Sequence, residues 1–147
     1  MSHAFTQVLI HYIFATKNRE RVILDQWRDD LHMYIAGIVA KRDGLLIAAG
    51  SVEDHIHLLI RIPPSISVMA MVRDIKANSS AWRHTLGDTQ FWWQRGYAGF
   101  SVSYSKVEIV KKYILNQRQH HLNLGFLEEV EMLLRMHEIP YTDDLFD

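Results

Sequence analysis

The sequence predicts an α+β fold of the ferredoxin-like βαββαβ type, with an antiparallel sheet and additional C-terminal helices. Three observations lead to this prediction. Segments rich in β-branched and aromatic residues alternate with segments of helical periodicity. Only the junction Glu53-Asp54 separates the second and third predicted strands, which is typical of a hairpin. Two further helical segments follow the fourth predicted strand.

The boundaries of these elements follow from turn and capping residues. The predicted strands are residues 5–16, 45–52, 55–62 and about 97–103. Pro63-Pro64 ends the third strand, because proline cannot continue a hydrogen-bonded ladder. The predicted helices are residues 25–42, 67–86 with Ser65 or Ser67 as the cap, 105–121 and 126–137. Asp25 is the predicted cap of the first helix, and Ser105 and Glu108 form a predicted capping box in the third.

The composition is that of one globular domain spanning residues 1–147, with a core at about 5–121 and an acidic helix and tail at 122–147. Apolar residues make up 48% of the chain, but no apolar run has the length of a membrane span. No signal-peptide pattern is present at the N-terminus, so we expect a cytoplasmic protein without a membrane partner. The absence of cysteine excludes disulfides and thiolate metal sites.

The charges are unevenly distributed. The formal net charge is −1, but residues 126–147 contain seven acidic residues and one base, Arg135. The preceding 125 residues therefore carry a net charge of +5. A mildly basic body is compatible with phosphate binding, although many proteins that bind no phosphate have the same balance. The acidic tail would repel DNA, and we expect it to be a packing or dimer element.

The third predicted strand carries a pair of histidines. With a period of two, Ile56, Leu58, Ile60 and Ile62 lie on one face of the strand. The other face carries His55 and His57, followed by Leu59 and Arg61. Two imidazoles at positions i and i+2 can both reach one divalent metal ion. The alternative is that both histidines are simply hydrogen-bonded within the sheet. His3, His11, His32, His84 and His137 are scattered, and we expect them to fill the surface or the core.

A tyrosine and a glutamine lie one turn apart on the third predicted helix. Tyr113 and Gln117 are at the margin of the apolar stripe, so both polar ends can point along the seam between helix and sheet. Gln117 offers an amide oxygen as a third, neutral metal ligand. The phenol of Tyr113 has an ordinary pKa near 10. A nearby divalent cation would favour its oxyanion.

Three blocks of the sequence together resemble a known family. The residues are Asp54-His55-Ile56-His57-Leu58-Leu59, Trp93-Gln94-Arg95-Gly96-Tyr97 and Lys112-Tyr113-Ile114-Leu115-Asn116-Gln117. The first resembles the histidine–hydrophobic–histidine (HUH) signature of single-strand endonucleases. All three, in this order, resemble the single-tyrosine transposases of the 200/605 insertion-sequence family and the related REP-associated tyrosine transposases. The resemblance covers residues 5–121.

The resemblance implies an activity and a set of site residues. His55 and His57 would bind Mg²⁺ or Mn²⁺, with Gln117 as the remaining protein ligand. Tyr113 would attack single-stranded DNA and form a 5′-phosphotyrosine intermediate, which a second 3′-OH could resolve. Family members typically form homodimers and recognise DNA hairpins. The basic residues that we predict to contact DNA are Lys17, Arg19, Lys76, Arg83 and Arg95.

Two other functions are compatible with the sequence. A non-catalytic module of ferredoxin-like fold could bind single-stranded nucleic acid through aromatic and basic residues. Trp92, Trp93 and Tyr97 could form such a stacking surface, or they could belong to the core. A small hydrolase using metal-bound water, with no role for Tyr113, is the third possibility.

Overall fold

The computed structural model describes residues 4–117 and 124–146. The four strands are β1 (Val8–Ala15), β2 (Leu45–Ser51), β3 (His55–Ile62) and β4 (Ala98–Ser101). The helices are α1 (Asp25–Lys41), α2 (Val68–Thr85), α3 (Val107–Leu115) and α4 (Phe126–Met136). In the described part of the chain, no helix is both long and apolar enough to cross a membrane.

The strands form one antiparallel sheet in the order β2-β3-β1-β4. This is the strand order of a ferredoxin-like βαββαβ unit, so the predicted fold class is confirmed. The hairpin of β2 and β3 also forms as predicted. The strands β1 and β3 lie in the middle of the sheet, and each pairs with a strand on both sides. The division of residues 1–147 into a core and an acidic tail within one domain stays a prediction.

Both faces of the two central strands are buried, but beneath different helices. Ile56, Leu58, Ile60 and Ile62 pack with residues of α1 and α2 in the main core. The opposite face is covered by α3, through Ile114, and by α4, through Phe126 and Val130. The predicted division of β3 into an apolar face and a histidine face is therefore observed. Because helices also cover the second face, His55 and His57 lie in the interior.

Several predicted element ends are wrong in detail. Ser105 and Glu108 do not form the capping box, because a short 3₁₀ turn at Tyr104–Lys106 precedes α3 and no side chain caps its start. Asp25 does not cap α1 either; its carboxylate pairs with Arg28 instead. The cap of α2 is Ser67, whose hydroxyl accepts a hydrogen bond from the Ala70 amide at 3.1 Å. The predicted extension of the third helix over 118–121 falls outside the described residues.

Gly50 in β2 allows α3 to lie directly on the sheet. A Cβ atom at this position would come within 1.9 Å of the carbonyl oxygen of Ile114. No side chain can fit at this distance, so the helix must move away if any is introduced. Gly50 thus fixes the height of α3 above the sheet and, with it, the position of Tyr113 one residue earlier.

We predict that Gly50→Ala lowers the free energy of unfolding by about 1–3 kcal/mol, the usual cost of overpacking a core. The measurement is equilibrium urea denaturation. Gly37→Ala is the matched control, because no atom lies within 4 Å of a Cβ at this exposed site in α1. Since alanine favours helix, this control should be neutral or stabilising by up to about 1 kcal/mol. An unchanged stability in Gly50→Ala would contradict the close contact with Ile114.

Candidate metal and tyrosine site

The two histidines of β3 are fully buried and point their Nε2 atoms in a common direction. Each Nδ1 atom has its own partner. The Nδ1 of His55 lies 2.7 Å from a carboxylate oxygen of Asp54, and the Nδ1 of His57 lies 2.8 Å from Nε2 of His11. Hydrogen bonds of this kind fix the orientation of an imidazole and leave its other nitrogen for a ligand.

A carboxylate from α4 faces both histidines. The Oε1 atom of Glu129 lies 2.9 Å from Nε2 of His57 and 3.2 Å from Nε2 of His55. Glu129 has no exposed surface. Burial of a carboxylate is costly unless it is paired and hydrogen-bonded, and here the two imidazoles supply the pairing.

The phenol of Tyr113 completes the cluster. Its hydroxyl donates a hydrogen bond to Oε2 of Glu129, the second oxygen of the same carboxylate. The ring lies 5.8 Å from the ring of His57 and 6.2 Å from that of His11. Tyr113 and the histidine pair thus meet on one carboxylate, within a single chain.

The sequence of α4 explains how Glu129 reaches this position. Phe126, Val130, Leu133 and Leu134 form the apolar stripe that packs against Ile13 and Phe100 of the sheet. Glu129 lies within this stripe, one turn after Phe126, whose ring packs 4.9 Å from that of His55. The stripe therefore carries the carboxylate under the sheet when the helix docks. The helix of the acidic segment therefore packs on the sheet, and a role of this segment in a dimer stays a prediction.

Two of the site residues were missed by the sequence analysis, although both had a signal. A glutamate inside an apolar helical stripe is unusual, since buried acids are rare unless paired. His11 interrupts the apolar face of β1 in the same way and is 4% exposed. Both positions were interpreted as surface or packing residues, because the sequence does not show which faces meet.

Burial and hydrogen bonding shift the pKa values of three groups in the cluster. Burial and the nearby His57 lower the pKa of His11 to about 3, so His11 is neutral. Burial lowers the pKa of His55, but the hydrogen bonds to Asp54 and Glu129 raise it by more. The net shift of this pKa is therefore upward. Burial and the hydrogen bond to Glu129 raise the pKa of Tyr113, which keeps the phenol neutral.

Gln117 lies one turn from Tyr113, as predicted, and is buried. Its amide nitrogen donates a hydrogen bond to the backbone carbonyl of Tyr113 at 3.1 Å. The side chain lines a cavity of about 510 Å³ beside Ser51 and His32. Its role as a metal ligand stays a prediction.

The chemistry of the donor set fits a divalent metal ion. Among the His, Cys, Asp and Glu side chains of residues 4–117 and 124–146, one group of three could hold an ion, namely His55, His57 and Glu129. Their ligand atoms lie within 4.8 Å of one another. Two imidazoles and one carboxylate are a common donor set for divalent metals, including Mn²⁺.

Three of the five predicted DNA-binding residues lie together. Lys17, Arg19 and Arg95 surround a cavity of about 550 Å³ next to Trp92. All three bases are exposed, and the indole of Trp92 is 49% exposed. We call this surface the basic–aromatic pocket. The stacking role considered for Trp92 is therefore compatible with its position.

The other two predicted DNA-binding residues serve the fold. The ammonium of Lys76 donates to the carbonyl oxygens of Gln94 and Gly96, and burial lowers its pKa to about 8. Arg83 pairs with Asp88 at 2.9 Å and lies over the ring of Trp27. Neither side chain lines the basic–aromatic pocket.

Trp93 and Tyr97 belong mainly to the core. Trp93 is 9% exposed, and its indole N–H donates to the Ser79 hydroxyl at 2.8 Å. Tyr97 packs against the same core with its ring 5.9 Å from Tyr12. The two side chains therefore follow the core alternative, whereas Trp92 does not.

The structure places a histidine pair on a central strand next to a tyrosine on a helix. Comparison with known families identifies the class of protein. The model of the family described as IS200-like transposases matches residues 4–117. The chain belongs to this family of transposases. The transposases of the insertion sequence IS200 from Salmonella typhimurium and Salmonella typhi are each 27% identical over 153 residues. Each match covers 99% of this chain and 93% of the relative.

Two solved structures are similar. A Deinococcus radiodurans protein assigned as a transposase has a TM-score of 0.61 and 25% identity, covering 80% of this chain and 95% of that one. A REP-associated tyrosine transposase bound to a REP hairpin has a TM-score of 0.62 and 16% identity. This second similarity covers 82% of the present chain and 73% of the other, and it concerns the fold. The recognition of the tyrosine transposases from the three sequence blocks is confirmed.

We predict different titration behaviour in the metal-free protein for His11 and His55, which both lie against the ring of His57. As the pH falls from 8 to 5, His11 should stay neutral, because its pKa is about 3. His55 should gain its second proton above the ordinary pKa of 6.5. The measurement is a two-dimensional ¹⁵N–¹H NMR titration of the imidazole nitrogens, with His11→Phe to assign the signal. A His11 signal that titrates near pH 6.5 would contradict the buried pair with His57.

Proposed function

We propose that this transposase cleaves and rejoins single-stranded DNA in a metal-dependent reaction with a 5′-phosphotyrosine intermediate. Membership of the family already implies cleavage and strand transfer of DNA. The observation that supports the finer mechanism is the meeting of Tyr113, His55 and His57 on one buried carboxylate. A hydroxyl nucleophile and a pair of metal ligands are thereby held together by the fold.

The proposed roles follow from the chemistry of each side chain. His55 and His57 would hold a Mg²⁺ or Mn²⁺ ion through Nε2, while Asp54 and His11 keep the rings in place. When bound, the ion would polarise a phosphate oxygen and stabilise the charge that develops on it. Gln117 is the ligand that the family resemblance predicts.

Tyr113 performs the covalent step. Its hydroxyl oxygen forms a bond to phosphorus, and the bond between phosphorus and the 3′ oxygen breaks, leaving a free 3′-OH. One phosphodiester replaces another, so the bond energy is kept and the step can be reversed by a second 3′-OH without ATP. This reversibility is what strand transfer requires.

The proposed partner is single-stranded DNA that contains a hairpin. A solved protein of the same fold is a REP-associated tyrosine transposase bound to a REP hairpin. In the present chain, the basic–aromatic pocket combines exposed cations with an exposed indole, as expected of a surface that binds phosphates and stacks on unpaired bases. Its cations would contact the DNA backbone.

We also propose a homodimer, on the basis of the family resemblance. The cluster of Tyr113 with His55 and His57 forms within one chain, so the described geometry itself does not require a partner. Light scattering on the protein as it elutes from a sizing column would give a mass of about twice 17.2 kDa for the dimer.

We predict that Tyr113→Phe abolishes covalent attachment to single-stranded DNA, because the nucleophilic oxygen is lost. The measurement is a gel shift under denaturing conditions, with overlapping labelled oligonucleotides from the DNA that flanks the coding sequence. Tyr104→Phe is the matched control, since Tyr104 is 73% exposed and precedes the same helix. It should retain full attachment. EDTA should stop attachment by the wild type.

A covalent adduct formed by the Tyr113→Phe variant would show that another residue is the nucleophile. A free 5′-phosphate on the wild-type product would instead favour the hydrolase with metal-bound water. Binding of the oligonucleotides without cleavage under any metal condition would favour the non-catalytic module.

We predict that the double substitution Arg19→Ala/Arg95→Ala weakens binding of a hairpin-containing single strand. Two exposed cations of the basic–aromatic pocket are lost, and the salt dependence of log K should decrease by about 0.7 for each lost phosphate contact. The measurement is fluorescence anisotropy at several salt concentrations. Lys41→Ala/Arg61→Ala removes the same charge from exposed positions that do not line this pocket and should change binding little. Equal losses in both variants would exclude a localised site at the pocket.

A further inference from the structure

We infer that Glu129 is a catalytic residue: one carboxylate oxygen completes the metal site of His55 and His57, and the other accepts the proton of Tyr113. This inference rests on the proposed function and extends it to a residue outside the three sequence blocks and outside residues 4–117, the part that matches the family model. It concerns an acidic side chain that lies against both the histidine pair and the tyrosine hydroxyl.

Glu129 differs from the other acids of α4 in its burial. The carboxylate has no exposed surface, although it belongs to the most acidic part of the chain. Its neighbours on the same helix, Glu128 and Glu131, remain at least partly exposed. An acid that only increased solubility would lie on that outer side. The position of Glu129 is therefore specified by what the carboxylate contacts.

The ligand atoms of the cluster have the spacing expected around one metal ion. Adjacent ligands of an octahedral ion with bonds of about 2.1 Å are separated by about 3 Å. The Oε1 atom of Glu129 lies 2.9 Å from Nε2 of His57 and 3.2 Å from Nε2 of His55. Asp54 and His11 contact the two Nδ1 atoms, so it is the Nε2 atom of each histidine that faces Glu129. Glu129 thus has the spacing and the charge of a third ligand.

The other oxygen of the same carboxylate contacts the proposed nucleophile. Oε2 accepts the hydrogen bond of the Tyr113 hydroxyl, so the proton that the nucleophile must lose already points at a base. In the reaction, this proton moves to Oε2 as the tyrosine oxygen bonds to phosphorus. The 3′ oxygen leaves with the electron pair of the broken bond and takes a proton from water. Glu129 then returns its proton to water, and the balance is closed.

The experiment compares Glu129→Gln with Glu128→Gln. Both substitutions remove one negative charge from α4, but only the first changes the buried contact. Binding of Mn²⁺ is measured without DNA, by electron paramagnetic resonance of the free ion. We expect Glu129→Gln to weaken binding by at least about tenfold, as ligand-sphere changes do, and Glu128→Gln to leave it unchanged. Unchanged binding in Glu129→Gln, with weakened binding in Gln117→Ala, would overturn the inference in favour of Gln117.

A second measurement tests the proton transfer. Single-turnover formation of the covalent adduct at saturating Mn²⁺ should be slowed at least about tenfold in Glu129→Gln and unaffected in Glu128→Gln, because only the first lacks the base. An unchanged rate in Glu129→Gln would overturn the role of Glu129 as the base, and a faster rate would show that the carboxylate obstructs the tyrosine.

A third measurement uses the unaltered protein and does not depend on the folding of a variant. Addition of Mg²⁺ to protein labelled with ¹³C in glutamate should shift the side-chain carboxyl signal of Glu129 and leave that of Glu128 in place. The absence of a shift at Glu129 at saturating Mg²⁺ would overturn its role as a ligand. The metal measurements need no DNA, so they remain decisive even if the wild type forms no adduct and the proposed function fails.

Discussion

The buried carboxylate of Glu129 connects the three elements that form the site. It contacts two imidazoles on β3 and the phenol on α3 while it belongs to α4. A charge without access to water must be compensated by its neighbours, so these elements cannot separate without exposing or orphaning it. The contacts that dock the C-terminal helix on the sheet are therefore the same contacts that hold the site together.

The sheet provides the rigid base for this arrangement. Because β1 and β3 are central and buried on both faces, the histidines are held by ladders and by packing from both sides. His11 and His57 lie on adjacent strands, where the antiparallel register brings their rings into contact. The close approach of α3 at Gly50 then brings Tyr113 to the same depth. All four side chains of the cluster, His55, His57, Tyr113 and Glu129, are therefore carried by strands and helices and not by loops.

The basic–aromatic pocket is separate from the buried site and differs from it in being lined by exposed side chains. Its cations are exposed, whereas Lys76 and Arg83, which are equally basic, are engaged by carbonyl oxygens and by Asp88. The tail also reaches the pocket, because Gln94 donates a hydrogen bond to the carbonyl oxygen of Phe146. The acidic segment is thus close to both the site and the proposed DNA surface.

The sequence by itself determined the element order, the division of β3 into two faces, and the pairing of Tyr113 with Gln117 on one helix. These properties follow from periodicity and from turn residues, which act over a few positions along the chain. The tertiary structure alone decided that α4 docks on the histidine face and that Glu129 and His11 contact His57. It also decided that only three of the five predicted DNA-binding residues surround one pocket. Such contacts join residues up to 74 positions apart, and they depend on which apolar faces pack together, a property that no local pattern carries.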